Sequence, residues 1–164
     1  MSTYHNPKYL NINDPICRRI GKFVLEEQQA GLIVKEHPNE YDIDLEIYNE
    51  SVLWGYLEVE YAERSRFYGK DYKSQKEHGV SVPIRKNRYH YYNKPWFWMN
   101  ISADYTHFIL MSGDFIKKHG HESTYHVCNN PDEETFVIVP EALSFPKITR
   151  ISKGVLEKVY GIKL

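Results

Sequence analysis

The chain has 164 residues, 41% of them hydrophobic and 26% charged, with 14 Tyr and 3 Trp. That length suits one domain around one full core, and that composition excludes both a disordered chain and a disulfide-stapled scaffold, because Cys17 and Cys128 stand far apart. No apolar run approaches the roughly 20 residues a membrane span requires, and the polar start lacks a signal-like apolar stretch, so a cytoplasmic protein without membrane contact is expected.

Along the chain, Asp14 before Pro15 reads as a helix start, since Asp caps free backbone N–H groups and Pro fits a first turn. Ile16, Ile20, Phe23 and Val24 follow at helical spacing and Gly31 is a suitable stop, which predicts a first helix over 15–30. A strand from Leu32 leads into YDIDLEIY, where Tyr41, Ile43, Leu45 and Ile47 alternate with Asp42, Asp44, Glu46 and Tyr48. After the turn-prone Asn49-Glu50-Ser51 the alternation resumes, with Leu57, Val59 and Tyr61 on one face and Glu58 and Glu60 on the other. The two runs form a hairpin that sets Glu58 across from Asp42 or Asp44. Residues 62–79 are polar, basic and aromatic and read as an irregular loop or a poor helix. VSVPIRK is a strand candidate whose Pro83 favours an edge or an interruption; PWFWMNISADYTHFILMSGD holds one or two strands, 114–119 a helical turn, and FVIVP near Val137 another strand. The mixture predicts one α/β domain over 1–164 with a mixed central sheet flanked by helices.

The net charge of −1 conceals a polarity along the chain. From Glu36 to Glu63 there are nine acids and no Lys or Arg; from Arg64 to Lys94 there are nine bases and two acids, so a block of −9 precedes one of +7. Either these are solvated faces that neutralise one another, or a metal site adjoins a phosphate-binding surface. Opposed like charges destabilise a hairpin unless its face is open to water or recruits a cation. In a cleft, a hard ion such as Mg2+ takes one or two carboxylates together with waters and phosphate oxygens.

These residues carry a resemblance. Glu26 and Glu27 on a helix, Asp44 on a strand and then Glu58-Val59-Glu60 resemble the PD-(D/E)XK restriction-endonuclease-like phosphodiesterases over roughly residues 15–110, with specific motif residues only in the hairpin. The resemblance implies a restriction-endonuclease-like fold and a Mg2+- or Mn2+-dependent endonuclease acting on DNA. It implies metal ligands at Asp44, or Asp42 in the other register, and at Glu58, with Glu26 or Glu27 contributing to the metal's water shell. Most of the family has Lys where this chain has Glu60. Glu60 would then position the water, and a Lys displaced to another strand would supply the missing charge, for which Lys86 is the candidate. Arg85 and Arg88 beside it would hold backbone phosphates, and Lys70, Lys73 and Lys76 would make further DNA contacts. Dimerisation, common for such a fold when both strands are cut, would give a homodimer.

The bases from Arg64 to Trp98 are interleaved with aromatic residues that could stack on nucleobases, although Trp96-Phe97-Trp98 reads mainly as packing. His119, His121, His126 and Cys128 form a weak zinc-like pattern whose close spacing argues against a structural site. The rival to a nuclease is a module of the same fold that binds nucleic acid or protein without cutting.

Overall fold

The computed structural model describes residues 7–39, 42–73, 79–126 and 132–163, with side chains from Asn13 onward. The first helix, α1, runs Pro7–Gln28 and carries Pro15 inside it, so the helix begins earlier than the Asp14-Pro15 pair suggests. Pro15 removes one backbone donor, but the apolar stripe of Cys17, Ile20 and Val24 is buried against the sheet and keeps the helix going. Gly31, at φ +90°, turns the chain into the sheet.

The main sheet has the order β1-β2-β3-β7-β8-β11, from β1 (Leu32–Glu36), β2 (Leu45–Asn49), β3 (Val52–Tyr61), β7 (Trp96–Ile101), β8 (His107–Ser112) and β11 (Thr149–Arg150). Only β3 and β7 are parallel, so the sheet is mixed. Between them the chain forms a two-strand hairpin, β4 (Phe67–Tyr68) and β5 (Asp71–Tyr72), where a loop or poor helix is expected from composition. It then forms β6 (Gly79–Pro83) and a 3-10 helix over Ile84–Tyr91. Strand β6 lies at the edge of a smaller sheet, paired with β10 (Glu133–Pro140), which also pairs with β9 (His121–His126). Helices α2 (Gly113–His119), α3 (Glu141–Ser144) and α4 (Lys153–Tyr160) complete the chain.

Period-two patterning sorts the main sheet's side chains into two cores. Leu45, Ile47, Leu57, Val59, Met99 and Ile101 pack against α1 and α4. Trp96, Trp98, Ile109 and Met111 pack the opposite way, against Val80, Val82, Tyr89 and Val139 of the smaller sheet and the 3-10 helix. The protein is thus a single α/β domain with a mixed central sheet flanked by helices. Among the described residues, no helix is long and apolar enough to cross a membrane.

Candidate active site

Register decides which carboxylates meet. The β2–β3 turn places Glu50 at φ 50° and Ser51 at φ 67°, and Asn49 pairs with Val52. Tyr48 then pairs with Leu53 but Ile47 with Gly55, leaving Trp54 as a bulge. That extra residue pairs Leu45 with Leu57, so the next step along the two strands sets Asp44 against Glu58. An unbulged hairpin from the same turn would have opposed Asp44 to Leu57.

Asp44 stands just before β2, where the two strands separate. Its Oδ2 accepts the Val59 N–H at 2.8 Å, and its own N–H donates to Glu58 Oε2 at 3.3 Å. Each carboxylate therefore binds the backbone beside the other. Burial, and then the charge of Glu58, push the Asp44 carboxyl up to about 7, against the Val59 N–H bond and Arg18, which pull it down.

Glu58 and Glu60 project from β3 toward the second layer, where the 3-10 helix delivers Lys86 and Tyr89. The Lys86 Nζ donates to Glu58 Oε1 and lies 3.2 Å from Glu60 Oε1. Glu58 and Lys86 are each only 6% exposed. Burial works against the Lys86 charge, but Glu60 and Glu58 outweigh it, and its pKa lies above the ordinary lysine value. Tyr89 donates to Glu58 Oε2 at 3.2 Å and accepts from Arg88 at 2.9 Å. Arg88 thus steadies the site through Tyr89, and Arg85 sits at its rim, 3.8 Å from Glu60 and 3.5 Å from Glu134.

The structure therefore brings Asp44, Glu58, Glu60 and Lys86 together, with Lys86 on a 3-10 helix rather than on a strand beside the hairpin. It leaves the other sequence candidates elsewhere. Asp42 bonds the N–H of Ile43 and lies within electrostatic reach of Arg88 and Tyr56. Glu26 accepts from Lys22 at 2.8 Å and from the Val34 N–H at 3.1 Å, which ties α1 to β1 two helical turns past Arg18, and Glu27 accepts from Ser152. The helix carboxylate near the site is Asp14, joined to it by Arg18, which lies 3.1 Å from Asp14 and 3.4 Å from Asp44. Sequence pattern hides this pair, because Asp14 reads as a helix cap and nothing in the spacing singles out Arg18. Asn100 was also missed. It is 5% exposed and lies beside Glu60 in the parallel register, with Nδ2 donating to the Glu60 carbonyl at 3.3 Å and Oδ1 buried without a partner.

Lys70 and Lys73 are exposed on or beside the β4–β5 hairpin, and Lys76 lies outside the described residues. Trp96 and Trp98 are buried, as packing requires. Among the described residues the His-rich stretch forms no group placed to hold one ion: His119 packs on Phe115 with ring centres 4.6 Å apart and His126 lies 3.7 Å from Glu133, while Cys128 is outside the described residues.

The donor chemistry suits a hard cation. Asp14, Asp44, Glu58 and Glu60 face Arg18, Lys86 and the rim residue Arg85, with Arg88 one step behind through Tyr89, so the carboxylates are balanced by cations and the site offers a cation oxygen donors rather than net charge. Among the described residues no three His, Cys, Asp or Glu side chains are placed to hold one ion. A cation here would take two carboxylates, Asp44 and Glu58, and fill its remaining positions from water or substrate, as Mg2+ commonly does. Compared with family models, curated proteins and solved structures, the chain matches none.

Proposed function

We propose that the chain is a PD-(D/E)XK-like nuclease that hydrolyses DNA phosphodiester bonds with Mg2+ or Mn2+ held by Asp44 and Glu58. The observation that carries this reading is the placement of Lys86, which enters from a separate layer of the fold and meets Glu58 and Glu60 across from Asp44. An acidic pair with a lysine brought in from elsewhere is what the resemblance requires once Glu60 stands in the usual lysine position.

The ion, when bound, polarises the scissile phosphate and makes its bound water acidic. The chain's own residues have separate tasks. Glu60, half-buried beside Lys86, accepts a proton from the attacking water or orients it. Lys86 turns from Glu58 toward the phosphate as negative charge builds there. Arg85, which is 52% exposed, would exchange its partners Glu60 and Glu134 for a neighbouring phosphate, while Arg88 keeps Tyr89 in place behind Glu58. A homodimer would allow both strands to be cut.

One observation favours the non-cutting alternative: Glu58 Oε1 is occupied by Lys86, and Oε2 by Tyr89 and the Asp44 N–H. Cleavage of supercoiled plasmid in Mg2+, Mn2+ or EDTA, by wild type and by Glu58→Ala, separates the two. Metal-dependent cutting that disappears in the variant is expected. Cutting that persists in Glu58→Ala would sink the assignment, and salt-sensitive binding without cutting by either protein would favour the binding module.

A further inference from the structure

The β4–β5 hairpin is small, but its alternating side chains divide cleanly. Phe67, fully buried, and Tyr72, 8% exposed, plug into the second core, while Tyr68 and Asp71 face outward. The hairpin is also tied down. The Ala103 N–H donates to the Phe67 carbonyl at 2.8 Å, and the Gly69 N–H donates to Asp104 Oδ1 at 3.1 Å. Its outer side frames a cavity of about 170 Å3 lined by Arg64, Ser65, Arg66, Tyr68, Asp71 and Lys73.

Three cations and one carboxylate line this small cavity, a positive surplus that attracts an anion. Arg18, Lys22, Arg85 and Lys86 each have carboxylate partners, whereas among the described residues no ion pair joins Arg64, Arg66 or Lys73 to one. Arg64 lies over the Tyr68 ring, 5.0 Å from its centre, so its guanidinium is held at the rim. The Lys73 N–H donates to the Arg66 carbonyl at 2.7 Å, which joins the two sides of the cavity. Guanidinium and ammonium groups set around a cavity with a hydroxyl beside them match a phosphate group.

The cavity adjoins the carboxylates. Arg64 follows Glu60 by four residues, so their Cα atoms lie within about 14 Å. Buried Tyr72 is within electrostatic reach of both Arg66 and Glu60. With the two side chains adding several ångströms at each end, that separation corresponds to a few nucleotides at about 3.4 Å of rise each.

We propose that this cavity is a subsite for one internal phosphate of a nucleic-acid strand, a few nucleotides from the bond to be cut. The location of the cut rests on the nuclease reading above; the phosphate site itself does not.

The test uses the full chain in EDTA, where no metal-dependent cutting occurs. Binding of a short fluorescein-labelled single strand is followed by anisotropy across a salt series, for wild type, for Arg64→Gln with Arg66→Gln, and for a charge-matched control of Lys117→Gln with Lys118→Gln on α2. The hairpin variant should bind about tenfold more weakly and lose roughly one from the slope of log affinity against log salt, while the control stays near wild type. Inorganic phosphate should raise the wild-type melting temperature above that in chloride of equal ionic strength and should not do so in the hairpin variant. Equal weakening by both double variants, or an unchanged phosphate effect in the hairpin variant, would overturn the subsite. Wild-type binding that requires a 5′-phosphate on the strand would overturn the internal position. If the hairpin variant fails to bind and the plasmid nevertheless remains uncut by wild type in Mg2+, the nuclease reading falls and the subsite stands. Plasmid cutting with unchanged strand binding has the opposite meaning.

Discussion

Lys86 and Glu58 are 28 residues apart in the chain, yet the lysine ammonium donates to the glutamate within a nearly closed space between two layers of the fold. A buried pair of this kind gains little over an apolar pair, but each partner depends on the other. Removing the lysine leaves buried Glu58 without its ion-pair partner and Glu60 with only the half-exposed Arg85, 3.8 Å away.

Lys86→Met should therefore lower stability by about 3 kcal/mol at pH 8. Adding Glu58→Gln to the same chain should recover part of that loss. Urea denaturation of the three proteins measures both effects, and a double variant no more stable than Lys86→Met would show that the pair is not coupled.

Asp44 predicts a pH dependence. Its carboxyl is raised to about 7 in the folded protein from an ordinary 3.8, so the folded state holds the proton more tightly than the unfolded chain does. This group's contribution is thus most favourable below the unfolded value and declines as pH rises from about 4 to 7, by about 4 kcal/mol at most. Asp44→Asn should flatten that decline and be more stable than wild type at pH 8. Thermal melts from pH 4 to pH 8 check the slope, and parallel curves for the two proteins would contradict the assignment.

Arg18 competes with any cation at Asp44. Arg18→Gln should lower the melting temperature in EDTA, because Asp14 and Asp44 lose their shared partner, and Mg2+ should restore more of it than it adds to wild type. Melts with and without Mg2+ give the comparison; an equal Mg2+ increment in both proteins would count against a cation at Asp44.

Gly113 tests the packing behind the site. A Cβ there would lie 2.0 Å from Trp96 Nε1, which is itself bonded to His90 at 3.2 Å on the 3-10 helix. Gly113→Ala should cost about 1–3 kcal/mol through displacement of Trp96, measured by denaturant melts, while leaving the Asp44 and Glu58 side chains chemically unchanged.

Period two was readable wherever strands are long. The faces of β2 and β3, the turn at Glu50-Ser51 and the acidic side of the hairpin all follow from alternation. The pairing of Asp44 with Glu58 was left open against Asp42, because the Trp54 bulge depends on tertiary packing: its ring stacks on Phe97, with centres 5.6 Å apart. Lys86 was legible as a base beside an apolar run, but not its 3-10 helix, since Val80, Val82 and Pro83 alone have the strand pattern. Local rules misplaced the start of α1, because Asp-Pro signals an N-terminus only when no buried stripe overrides it. The two-residue strands of the basic hairpin are shorter than any periodicity can reveal, and nothing in the pattern marks Asn100.

The parallel pairing of β3 with β7 carries a consequence for the order of folding. Strands β1 to β3 form by short-range contacts, whereas β7 can dock on β3 only after the intervening excursion, residues 62–95, has closed its loop. Asp44, Glu58 and Glu60 belong to the early part and Lys86 to the late one. A half-folded chain therefore presents Asp44, Glu58 and Glu60 without the Lys86 counter-charge, which arrives only when the 3-10 helix packs onto β3.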